Sequence, residues 1–209
     1  MWEIISRGGF FIYPLILCSI ISVALIIERF ISLRQARRQY NTFIKDFNQC
    51  LAGNGVDEAI EYCKVNETPI ARIYERGLET QRVNPDMNSI KQAMQETAQS
   101  ELPALNKNLK TLSIIAHIAP LLGFLGTVTG MIKAFQTVEQ LSQRGEAVGP
   151  GHLAGGIWEA LITTAVGLVI AIPTYIAHSY FTGKTDNLTT EMEKSSLEML
   201  QTLPVKPHS

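Results

Sequence analysis

The 209-residue chain is short of charge and cysteine, and it lacks every short signature of soluble catalysis. Charged residues make up 18%, against about 25% in an ordinary soluble domain. With 18 basic and 19 acidic side chains the net charge is −1, so there is no basic excess to neutralise phosphates, and nucleic acid is not expected as a partner. The three cysteines, Cys18, Cys50 and Cys63, form neither a CxxC spacing nor a Cys/His cluster, which argues against a disulfide framework and a metal site. No phosphate-binding glycine loop, nucleophile elbow or metal-ligand spacing occurs, so the chain is not read as an enzyme and no cofactor is expected.

The missing charge is concentrated in three windows that contain none: Gly8 to Ile27 (20 residues), Thr111 to Ile132 (22) and Ala160 to Gly183 (24). Outside them, charged residues return to about a quarter of the chain, the soluble norm. At about 1.5 Å per residue each window is long enough to cross a hydrocarbon core roughly 30 Å thick. The sequence therefore predicts a polytopic membrane protein with three transmembrane helices. The first window runs straight into Glu28, Arg29, Arg34, Arg37 and Arg38 with no small-x-small site, the pattern of a retained span rather than a signal peptide.

Basic residues near the span ends set the direction. Arg29, Arg34, Arg37, Arg38 and Lys45 follow the first span, Lys107 and Lys110 precede the second, and Lys184 follows the third. The opposite sides hold Arg7, Lys133 and Arg144, so the N-terminus is expected outside. The resulting division is a first transmembrane helix in residues 1–33, a cytoplasmic helical region in 34–110, a second transmembrane helix in 111–135, a periplasmic connection in 136–154, a third transmembrane helix in 155–183 and a cytoplasmic helical tail in 184–209.

The expected fold is all-α, with long cytoplasmic extensions of helices two and three. After a break at Asn54 and Gly55, Asp57 opens a helix with Ala59, Ile60 and Cys63 at helical spacing. Thr68 and Pro69 open a second, carrying Ile70, Ile73, Tyr74 and Leu78. Asn84 as cap and Pro85 at the first helical position open a third. That third helix is expected to run on into the second span, kinked at Pro103. Beyond Gly183, Leu188, Met192, Ser195 and Met199 lie close to one face, as in an amphipathic extension packed on its neighbours.

The informative residues lie inside the second and third spans. Gly123, Gly126 and Gly130 mark the second, and Gly126 to Gly130 is a GxxxG spacing that lets helix backbones approach closely in lipid. In the third, Ala160, Thr164, Gly167, Ala171 and Thr174 make one small, weakly polar stripe, flanked by Thr163. Such a face suits a tight helix contact or the wall of a narrow polar path. Threonine hydroxyls hold water or a carboxyl group but carry no net proton charge. Glu159 is the only acidic side chain next to the second and third windows, either a proton way-station or an interfacial carboxylate. His117, in the inner half of the second span, is also titratable but is read first as a packing residue. With one peripheral acid and no mid-span Asp, Lys or Arg, the chain lacks a complete proton relay, so a conducting assembly requires an acid from a partner helix.

The run APLLGFLGTVTGMIKAF (Ala119 to Phe135), followed by GGIWEALITTAVGLVIAIP (Gly155 to Pro173), resembles the ExbB/TolQ family of proton-channel proteins, relatives of the MotA flagellar stator. The resemblance implies a pentamer around a dimer of a single-span ExbD- or TolR-like partner in the bacterial inner membrane. Such assemblies use the proton-motive force for mechanical work on the cell envelope. It implies that the partner's transmembrane Asp takes the proton, and that Thr127 in LGTV, Thr164 in LITTA and Glu159 in WEAL line the pore. Thr129 and Trp158 depart from the best-known members, which carry a Trp and a small residue there.

The expected function is accordingly a proton-channel scaffold subunit with Thr127, Thr164, Glu159 and Thr163 on the proton pathway and Gly123, Gly126, Gly130, Gly167 and Ala171 packing the helices. A substrate transporter and a non-conducting membrane scaffold are the rivals. The transporter predicts internal repeats or interrupted half-helices, of which the sequence has no sign.

Overall fold

The computed structural model describes residues 9–202. Arg7, Gly8 and residues 203–209, on which the orientation, the first window and the tail partly rest, lie outside the described residues. The elements are α1 (Ile12–Asn54), α2 (Val56–Val65), α3 (Pro69–Val83), α4 (Met87–Glu101), a 3-10 turn (Leu102–Asn106), α5 (Leu109–Gln143) and α6 (Pro150–Thr202). No strand occurs among the described residues, and the protein is all-α as expected.

Three helices, α1, α5 and α6, are long and apolar enough to cross a membrane. Leu17, Phe124, Leu161 and Val169 are exposed on them. In water a belt of such residues would drive association, whereas hydrocarbon tails solvate it. The protein is a multi-pass membrane protein.

The chain divides into two compact units, residues 9–28 with 108–180 and residues 29–107 with 181–202. The first has a small apolar core. Leu15, Ala119, Ile170 and Ala171 form a buried cluster with Leu122 and Val166 against it. At its edge Asn108, which takes the left-handed conformation with φ 66°, donates its side-chain amide to Glu28 at 3.1 Å.

The second unit has an ordinary amphipathic core. Phe43 and Phe47 of α1 stack on each other and meet Tyr74 of α3 edge-on. Ile70, Ile73, Leu78, Ile90, Leu188 and Met192 complete the packing. The face of α6 carrying Leu188, Met192 and Met199 is thus turned inward, and the Tyr74 hydroxyl donates to the Ser195 carbonyl at 2.9 Å. Thr68 caps α3 through its hydroxyl to the Ala71 amide, with Pro69 in the first turn, as the sequence predicts.

Two local expectations are corrected. The third polar helix starts two residues later than its sequence suggests. Asp86, not Asn84, caps α4 by accepting from the Ser89 amide at 2.9 Å, and Asn84 instead closes α3. A carboxylate two residues downstream is an equally good cap, and Pro85 is tolerated just outside the helix as well as in its first turn. The kink at Pro103 is a full break. The chain leaves α4 at Glu101, turns once as a 3-10 helix and reaches α5 only after Asn108. Pro103 cannot donate to a carbonyl one turn back, and the left-handed Asn108 ends the helical path completely.

Cys63 is 1% exposed, and burial, with Glu75 and Cys50 nearby, pushes its thiol up to about 12. Since the thiolate is the nucleophile, Cys63 should react with a maleimide far more slowly than the half-buried Cys50 at neutral pH and catch up on denaturation. The unfolded thiol ionises above about pH 9 while the folded one stays protonated, so this group's contribution to stability is intact below that pH and declines above it. Equal labelling of the two thiols in the folded protein would contradict this packing.

Candidate functional site

The site is a crossing of α5 and α6 built on residues without bulk. A Cβ added to Gly123 would stand 2.8 Å from the Thr163 carbonyl and 3.0 Å from the Thr164 Cα. One added to Gly130 would stand 2.7 Å from the Gly156 carbonyl and 3.0 Å from the Ala160 Cβ. One added to Gly167 would stand 2.6 Å from the Ala119 carbonyl. The two backbones touch over several turns, as small-xxx-small spacing allows.

The threonines divide by their place around this crossing. Thr163 is 1% exposed, and its side chain fills the room left by Gly126. Its hydroxyl donates within α6, to the carbonyls of Glu159 and Ala160. Thr164 is half-buried, and its hydroxyl reaches across to donate to the Gly123 carbonyl at 3.1 Å. Thr127 stands one residue past Gly126, about 100° around the helix, and is half-buried with its hydroxyl donating to the Phe124 carbonyl at 2.6 Å. Ala171 is buried a turn beyond Gly167, and Thr174 donates to the Ile170 carbonyl.

Glu159 lies at one end of the crossing and is not solitary. The Lys133 ammonium donates to its Oε1 at 2.6 Å. The Glu159 side chain is 15% exposed, whereas that of Lys133 is 53% exposed. Gly9, at φ +62°, comes so close that a Cβ there would overlap Glu159 Oε1. Three segments therefore meet at this carboxylate: α5, α6 and the stretch before α1. His117 stands apart. It is exposed, its Nδ1 is 2.7 Å from the Ser113 carbonyl, and its ring meets Tyr175 edge-on.

Within this geometry, residues 65–194 match the MotA/TolQ/ExbB proton channel family. The chain belongs to that family. It is 31% identical over 174 residues to an ExbB-like biopolymer transport protein of Synechocystis, covering 83% of this chain and 81% of that one. It is 27% identical over 206 residues to the Tol-Pal system protein TolQ of Pseudomonas aeruginosa, covering 90% and 85%. The biopolymer transport protein ExbB of Neisseria meningitidis is 26% identical over 192 residues, covering 86% and 84%.

Three members of the site in this MotA/TolQ/ExbB chain escaped the sequence reading. Gly156 packs against Gly130, its would-be Cβ 2.6 Å from the Gly130 carbonyl. It lies four residues before Ala160, so extending the small stripe by one turn would have found it. Lys133 counts only as an end-of-span charge in a linear reading, because its partner is 26 residues away. Gly9 carries no local signal at all, since a glycine at the start of an apolar window is unremarkable.

Proposed function

We propose that this chain is the proton-channel scaffold subunit of an inner-membrane motor, in which α5 and α6 of several copies enclose the transmembrane acid of a single-span partner. The reading rests on one observation above the others. The hydroxyl hydrogens of Thr127 and Thr164 are spent on backbone carbonyls, of Phe124 and Gly123 respectively. Each oxygen then offers only lone pairs to whatever lies beside it. Such a wall accepts a hydrogen bond from a protonated carboxyl and has no donor left for an ionised one.

The functional cycle follows from that asymmetry. A partner carboxyl is neutral while it faces the threonines and ionised only where water reaches it. Ionising it in an apolar lumen is unfavourable, so each protonation and release biases the partner toward a new position. The N-terminus lies outside, the Glu159 end of the crossing faces the outer side, and the second unit is cytoplasmic. Protons enter past Glu159 and leave on the cytoplasmic side. Thr163 serves the packing, because its side chain is enclosed by Gly126. The partner is ExbD- or TolR-like with a transmembrane Asp, the scaffold is a pentamer, and the output is mechanical work on the envelope, in outer-membrane import or envelope maintenance.

The test is reconstitution. Liposomes carrying this chain with its single-span partner are expected to take up protons under an inward potential, and those carrying either protein alone are not. Uptake without the partner, or none with it, would remove the reading. Solute uptake would favour the transporter, and a potential-independent envelope role the inert scaffold.

A further inference from the structure

The Lys133–Glu159 pair has a consequence that proton conduction alone does not require. Glu159 is the only acid within or adjoining the last two charge-free windows, and a bare carboxylate beside a crossing dense in backbone carbonyls is a natural resting place for a small hard cation. That place is taken. The Lys133 ammonium sits 2.6 Å from Oε1, and the Gly9 backbone lies against the same oxygen.

We infer that Lys133 is a specificity-determining residue, an internal countercharge that keeps sodium and other metal cations off Glu159 while leaving it open to protons. This rests on the channel reading. The physical difference lies in what each cation needs. A proton forms a covalent O–H bond on one carboxylate oxygen. The neutral acid then needs no countercharge, and the ammonium, on a flexible and half-exposed stem, can swing to water. A sodium ion needs several oxygens at once and would have to bind beside the ammonium it displaces. Like charges a few ångströms apart at a partly desolvated site repel strongly. Lys133 thus acts on selectivity through Glu159 without carrying the transported proton.

The experiment compares sodium and proton uptake by the partner-loaded assembly in liposomes, for the wild type and for K133M, K133R and K133M/E159Q. The wild type and K133R should exclude sodium. K133M should raise the sodium-to-proton uptake ratio at least about tenfold, the factor that 1.4 kcal/mol of lost repulsion would produce. The double variant should lower sodium uptake itself back to the wild-type level, because the carboxylate that would hold sodium is gone, while its proton uptake falls with the loss of Glu159. A merely structural pair would change assembly without changing the ratio, and it would be disturbed further, not restored, by the second substitution. Proton uptake by the wild type with an unchanged ratio in K133M overturns this inference alone. If K133M does not assemble, K133Q takes its place under the same criterion. Absence of proton uptake in the wild type overturns the channel reading and this inference with it.

Discussion

Gly130→Ala is expected to destabilise the detergent-solubilised protein by about 1–3 kcal/mol, the usual cost of forcing extra carbon into a packed interior. The neighbours of the new methyl decide the sign. It would stand 2.7 Å from the Gly156 carbonyl and 3.0 Å from the Ala160 Cβ. Neither is the end of a flexible side chain, so relief requires the two helix backbones to separate. Alanine's higher helix propensity, worth roughly 1 kcal/mol, offsets part of the cost. Gly183→Ala is the internal control. Nothing lies within 4 Å of its would-be Cβ, so the same substitution there should be neutral or stabilising by up to about 1 kcal/mol. Thermal unfolding of both variants in one detergent reads the difference. If Gly130→Ala proves as harmless as Gly183→Ala, the α5–α6 crossing is not the tight contact described above.

The second large effect is on conduction. In the partner-loaded assembly, E159A is expected to cut proton uptake by about a hundredfold or more, the lower range of what a positioned proton-transfer group contributes. T164V should cost about fivefold. Valine matches threonine in shape but has no lone pair to offer the partner's acid, and a hydrogen bond is worth about 1 kcal/mol net. The same change also deletes the donation to the Gly123 carbonyl, so a small loss of stability should accompany it. T164S restores the hydroxyl and should recover most of the flux, which separates loss of the oxygen from loss of packing. Assembly, read by size-exclusion chromatography, should persist in all three variants. Wild-type uptake in both E159A and T164V would remove the assignments of these residues.

These two expectations depend on different physics. The glycine substitution tests contact between backbones, where a single methyl decides. The polar substitutions test which lone pairs a lumen presents, where volume is held nearly constant. A scaffold that conducts nothing would show the first effect and not the second.

Much of this architecture was legible in the sequence, because its causes are local. A window without charge is long enough to span or it is not, and α1, α5 and α6 follow from that count. The Thr68 cap, the inward face of Leu188 and Met192 and the small stripe from Ala160 to Thr174 are likewise patterns of neighbours along one helix. What each small residue meets was decided by the tertiary structure. Thr163 and Thr164 are adjacent in sequence and equally small, yet the azimuth of α6 buries one against Gly126 and turns the other to the Gly123 carbonyl. Only the fold joins Lys133 to Glu159 and brings Gly9 over that carboxylate, because the energy of a contact depends on a separation in space that no local period encodes. The start of α4 and the break before α5 were settled between alternatives of similar local cost, Asn84 against Asp86 as cap and a kink at Pro103 against a left-handed Asn108. Near-degenerate local choices of that kind are resolved by packing.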